Sequence, residues 1–145
     1  MMWHGRRRVL AVAFVVIVGG LAASAQVKDF KPVTDAMLQN PDPADWLNWR
    51  RTLDGWGYSP LNQINKENVH QLQLVWSWAV GPGTTQPAPL VYNGVMYIPE
   101  SPGMVQAMDA VTGELIWEYK KEFETPPEPY FSPRARSIAI YGDKI

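Results

Sequence analysis

The chain has 145 residues, room for one ordinary domain, and its 46% hydrophobic and 19% charged residues give a globular composition that excludes disorder and collagen-like structure. A formal charge of −1 excludes a nucleic-acid binder that works through a basic face. With no cysteine, disulfides, thiolate metal sites and an acylated N-terminal cysteine are excluded as well.

Residues 1–25 read as a secretory signal. Arg6, Arg7 and Arg8 form a positive start, residues 9–18 an apolar run too short to span a bilayer comfortably, and Ala23-Ser24-Ala25 offers small residues for a signal peptidase. Cleavage is expected before Gln26, with a periplasmic product. The competing reading is an uncleaved membrane anchor, the one route by which this chain would meet a membrane. Removing the three arginines takes the charge from −1 to −4. Residues 26–73 form a lead-in. Thr34 or Asp35 can cap a turn or two of helix within residues 28–40, and Pro41 stops it. Residues 43–47 predict a second short helix, with Pro43 in the first turn where a missing N–H costs nothing. The glycines and aromatics of residues 48–59 predict ordered, irregular chain, and Asn65 can cap a short helix over residues 65–72.

Beyond Gln73 the pattern changes to short strands at 88–92, 95–99, 104–108 and 114–119. Asn93-Gly94, Ser101-Pro102-Gly103 and Asp109-Ala110-Val111-Thr112-Gly113 supply the turns, so the strands form one antiparallel meander. Such a sheet has two faces to cover and cannot stand alone. Internal similarity says what covers it. Leu74-Val75-Trp76-Ser77-Trp78 matches Leu115-Ile116-Trp117-Glu118-Tyr119, and Pro89-Leu90-Val91-Tyr92-Asn93-Gly94 is echoed by Ile138-Ala139-Ile140-Tyr141-Gly142-Asp143. The offsets, roughly 41 and 49 residues, lie in the range of propeller blades. On this reading residues 74–79 are the outer strand of one blade, residues 88–119 a whole blade, and residues 135–145 the start of the next. Ala107 is expected to be small because a neighbouring blade's tryptophan lies over the strand there. Trp117 is expected to bury its face between blades and to offer its N–H to a backbone carbonyl.

Two segments carry a family resemblance. Asp45-Trp46, Tyr58-Ser59-Pro60-Leu61, Gln63-Ile64-Asn65 and Asn68-Val69 resemble the N-terminal signature of the pyrroloquinoline-quinone (PQQ) dehydrogenases, except that the family usually places glycine where this chain has Arg50. The run Ala107-Met108-Asp109-Ala110-Val111-Thr112-Gly113-Glu114-Leu115-Ile116-Trp117 resembles its tryptophan-docking repeat. The resemblance spans residues 45–145. It implies an all-β fold, an eight-bladed propeller of four-stranded antiparallel blades, of which residues 74–145 are a truncated part. It implies PQQ and calcium as cofactors, an alcohol or sugar as substrate, and a cytochrome or quinone as electron acceptor.

By the same resemblance Arg136, in Arg136-Ser137-Ile138-Ala139-Ile140-Tyr141-Gly142-Asp143-Lys144, falls at a cofactor-contacting arginine. The competing readings are a solvated loop arginine, or Arg134 in that role. Gln86 falls where some members carry a glutamate near the cofactor, and otherwise reads as a loop polar residue. Tyr130-Phe131 stand where many alcohol dehydrogenases of the family have two adjacent cysteines. They could give the quinone a flat apolar cover or simply pack a loop. Asp54 and Glu100 read as turn or solvated residues, Glu122 and Glu124 as solvent-facing, and neither His4 nor His70 suggests a metal site. The base and the calcium ligands of the family are expected beyond residue 145. A non-catalytic periplasmic propeller scaffold and a membrane-anchored sensor domain are the rival classes; the first needs only the repeat and not the signature.

Overall fold

The computed structural model describes residues 27, 29–81, 86–124 and 135–145. Four strands, β1 (Leu90–Tyr92), β2 (Val95–Glu100), β3 (Met104–Asp109) and β4 (Leu115–Lys120), form one antiparallel sheet in the order β1-β2-β3-β4. Each turn is set by its residues. Asn93 and Gly94 both adopt positive φ, 49° and 76°, which is the two-residue turn that matches the twist of a hairpin. At the β3–β4 turn the Asp109 carboxylate accepts the N–H groups of Val111 and Thr112 at 2.9 and 2.7 Å, and the Thr112 hydroxyl accepts that of Glu114. Those amides hold the Asp109 carboxyl below its ordinary range.

Alternation along the strands places one apolar face inward. Leu90, Tyr97, Ala107 and Trp117 form a cross-strand row, each paired with the next in register. The rings of Tyr97 and Trp117 approach to 6.0 Å across the small Ala107 between them. The row joins Leu47, Val33 and Ile140 in one core cluster. The two edges of the sheet differ: β1 is mostly buried, whereas β4 is mostly exposed.

The lead-in is stitched to that sheet. Helix α1 (Asp35–Gln39) is capped by the Thr34 hydroxyl, which accepts the Met37 N–H. The helix expected over residues 43–47 does not form. Trp46 instead exchanges two backbone hydrogen bonds with Val91, at 2.7 and 3.0 Å, and Asp45 accepts the Asn93 N–H. Pairing with the hairpin outweighs local helix propensity there. Over residues 65–72 only a 3-10 turn at Val69–Gln71 forms, preceded by an Asn65 side chain that accepts from Glu67 and Asn68. Arg50 has an ordinary backbone and sits over Trp49. The left-handed residue is its neighbour Arg51, at φ 70°, whose buried guanidinium donates to the Pro41 carbonyl. Val33 exchanges two backbone bonds of 2.8 Å with Gly142, so the lead-in reaches residues 135–145 as well.

Residues 74–79 pair with no described strand and dock through side chains. The Trp76 N–H donates to the Ala110 carbonyl at 3.2 Å, and its ring lies over Gly113, where a Cβ would come within 2.7 Å. The tight contact of the docking tryptophan is thus at Gly113, while Ala107 makes room for Tyr97 and Trp117. The N–H-to-carbonyl bond expected of the repeat's tryptophan is made by Trp76.

Candidate cofactor site

The meander sends its turns to opposite ends of the sheet. Asn93-Gly94 and residues 109–113 lie at one end. The start of β1, the β2–β3 turn at 101–103 and the end of β4 lie at the other. Gln86 is four residues before β1, so it belongs to this second end. Residues 135–136 are tied to the same place, since the Gln86 N–H donates to the Ala135 carbonyl at 3.2 Å and the Ala88 N–H to the Arg136 carbonyl at 2.8 Å. Two residues fifty positions apart in the sequence are therefore adjacent in the backbone network. Both are exposed, and no described residue engages either side chain.

Between the lead-in and the start of β1 lies a mainly apolar cavity of about 430 Å³, lined by Trp46, Trp49, Leu61, Ala88, Pro89 and Val91 among others. Ala88 links this cavity to the Arg136 segment. Gln86 and Arg136 bring a neutral amide and a guanidinium to segments joined at one end of the sheet. That donor set suits a flat anionic ligand carrying carboxylates and carbonyls. Among the described residues no three His, Asp or Glu side chains gather as a metal site.

Other residues singled out in the sequence have different roles. Tyr130, Phe131, Arg134 and the signal at 1–25 lie outside the described residues, and so does His4. Asp54 is a turn residue, its carboxylate accepting the Trp56 N–H and the Thr52 hydroxyl. His70, Glu122 and Glu124 are exposed. Glu100 corrects its expectation: only 1% exposed, it is neither solvated nor a turn residue, and its Oε2 accepts the Gly81 N–H at 2.8 Å. Its other oxygen, Oε1, is buried without a hydrogen-bond partner among the described residues. Adjacency to Ser101-Pro102-Gly103 made Glu100 look like a turn residue, whereas the closing β2–β3 pair, Glu100 with Met104, keeps it in the sheet.

Sequence reasoning also gave no role to Asp45 beyond the signature. Partial burial raises its carboxyl above the ordinary range, against the opposing effect of the Asn93 N–H. Tyr97, fully buried, is pushed up to about 12 by desolvation.

A family model described as PQQ: Glucose/ethanol/alcohol dehydrogenase, beta-propeller domain, matches residues 46–145. The dehydrogenase subunit of the quinone alcohol dehydrogenase of Gluconacetobacter polyoxogenes is 37% identical over 106 residues, covering 71% of this chain and 14% of that one. A quinohemoprotein alcohol dehydrogenase of Pseudomonas putida is 36% identical over 142 residues, covering 94% of this chain and 20% of that one. Among solved structures, a europium-containing methanol dehydrogenase superposes with a TM-score of 0.54 at 31% identity, over 60% of this chain and 16% of that one. The chain thus spans a fifth or less of the length of these relatives.

Proposed function

The chain belongs to the glucose/ethanol/alcohol dehydrogenase β-propeller family named for PQQ, and from that premise we propose that it supplies one blade and part of the cofactor site of a larger periplasmic enzyme oxidising alcohols or sugars. The observation that carries the site reading is the pair of backbone hydrogen bonds that sets Gln86 beside the Arg136 segment.

In this reading Arg136 grips a cofactor carboxylate. Its charge is permanent and its paired N–H groups match a carboxylate's two oxygens. Gln86 donates its amide N–H to a second cofactor oxygen, which a glutamate could do only when protonated. The backbone bonds hold the two segments together, which would help to orient the cofactor before substrate arrives. When bound, PQQ supplies the two-electron acceptor for alcohol oxidation. Calcium, the general base and the route to a cytochrome or quinone acceptor belong to the same proposal and are contributed outside the described residues. Export is supported by the Arg6-Arg7-Arg8 start, the apolar run and Ala23-Ser24-Ala25, and N-terminal sequencing of the secreted protein should begin at Gln26.

The test is reconstitution of the full-length apo-protein with PQQ and calcium, followed by dye reduction against a panel of alcohols and sugars. Loss of the charge-assisted bonds in Arg136→Ala should weaken PQQ binding roughly tenfold to a hundredfold. Bound PQQ with no dye reduction on any substrate would return the chain to the class of non-catalytic scaffolds.

A further inference from the structure

The tip of the first hairpin carries the chain's single Asn-Gly pair. Both residues are exposed, and nothing among the described residues lies within 4 Å of a Cβ built on Gly94. Among the described residues no group bonds the Asn93 side-chain amide, and none accepts the Gly94 N–H. An asparagine amide followed by an unhindered backbone nitrogen is chemically labile. The Gly94 nitrogen can bond to the Asn93 Cγ and close a five-membered ring. The Cγ–Nδ2 bond then breaks, and the proton of the Gly94 N–H leaves with the amide as ammonia. Water opens the ring at either carbonyl, leaving aspartate or isoaspartate.

The backbone of the tip opposes that attack. Asn93 is left-handed, at φ 49°, and in that conformation the following nitrogen lies opposite the side chain. Ring closure therefore waits on rotation of the Asn93 backbone out of the turn. Two tethers resist the rotation. Asp45 accepts the Asn93 N–H at 3.0 Å, and the Gly94 carbonyl accepts the Ala110 N–H at 2.9 Å. Beneath the tip, the buried pair of Tyr92 and Val95 closes the ladder.

The product weakens the tether that resists its formation. A carboxylate on residue 93 stands beside the Asp45 carboxylate, which already feels the charge of Asp42, and like charges repel. Isoaspartate also adds a carbon to the backbone and spoils the two-residue turn.

We propose that Asn93 is a modification site, a spontaneous amide-to-acid conversion held back by Asp45, and that its product loosens the lead-in from β1.

The test follows the acid content of residue 93 by peptide mapping and mass spectrometry while the full-length protein stands in mildly alkaline buffer. Asp45→Asn keeps an acceptor for the Asn93 N–H and should convert within about threefold of the wild-type rate. Asp45→Ala removes the acceptor and should convert about tenfold faster. Urea-denatured wild type, free of both tethers, should also outpace the native protein. Should Asp45→Ala not fold, Asp45→Ser, whose side chain is one bond shorter, takes its place. Equal rates in native wild type and the folded Asp45 variant, or in native and denatured wild type, would overturn the proposal. Asn93→Asp makes the product directly and should lower the urea midpoint at neutral pH, an effect that should shrink in an Asp45→Asn background. No such loss, or a loss undiminished in that background, would overturn it as well.

Discussion

The contact between Trp76 and Gly113 can be weighed by comparing two glycines with nearly equal backbone angles. Gly113 has φ 75° and Gly94 has φ 76°, so an alanine at either suffers the same left-handed strain, about 1 kcal/mol. Their surroundings differ. Nothing lies within 4 Å of a Cβ built on Gly94, whereas one built on Gly113 meets Trp76 Cδ2, Cγ and Cε3 at 2.7, 2.8 and 2.9 Å. Those are rigid ring atoms, and relief requires the indole to lift, which strains its 3.2 Å bond to Ala110. Overpacking of this kind costs about 1–3 kcal/mol, so Gly113→Ala should lose about 2–4 kcal/mol in all. Urea denaturation of the full-length protein, followed by tryptophan emission, measures both variants. In a Trp76→Ala background the Gly113→Ala penalty should fall to the backbone strain alone. Equal losses for Gly113→Ala and Gly94→Ala would refute the docking geometry.

Two carboxylates should shift stability in opposite directions with pH. Asp45, raised by desolvation, contributes stability that is present at low pH and lost as pH rises through its folded pKa, so wild type minus Asp45→Asn should decline as pH rises through the carboxylate range. Asp109, lowered by its turn amides, contributes stability that is present above the unfolded value of 3.8 and lost as pH falls, so wild type minus Asp109→Asn should grow with pH over the acid range. The tyrosines give a second contrast. Tyr92→Phe removes a 2.9 Å bond to the Lys31 carbonyl and should cost about 1 kcal/mol, while Tyr97→Phe removes a buried hydroxyl without a hydrogen-bond partner among the described residues and should cost less than about 0.5 kcal/mol. Residues 26–145 made alone should bind a hydrophobic dye and self-associate, with Trp56 79% and Leu74 84% exposed.

What the sequence made legible was short-range. Asn93-Gly94 and Asp109 to Gly113 are turns whose chemistry is complete within a few residues, and the four strands follow from them and from alternation. The adjacency of Gln86 and Arg136 was approached only through resemblance; no periodicity brings positions so far apart together, and the link is two backbone bonds from irregular chain. Long-range pairing also accounts for the misses. Trp46 abandons a locally acceptable helix because Val91 presents a free strand edge. Glu100 seemed solvated because its partner, Gly81, lies 19 residues upstream and has no side chain to advertise the contact.

The signature that distinguished this chain from a plain repeat protein has a mechanical role in the structure. Trp46 covers the free edge of β1 by pairing with Val91, and Asp45 holds the hairpin tip at Asn93. Tyr92 ties the same strand back to Lys31, and Val33 reaches across to Gly142. The lead-in therefore locks β1 and residues 135–145 to each other. Those are the two segments that carry Gln86 at the entry of β1 and Arg136 just before Ile140. A scaffold propeller would gain nothing from holding these two points together, because its repeats already pack through Trp76 and Gly113. A cofactor gripped by both residues, as proposed, would require their spacing to be fixed, and the lead-in bonds to both of the segments that carry them.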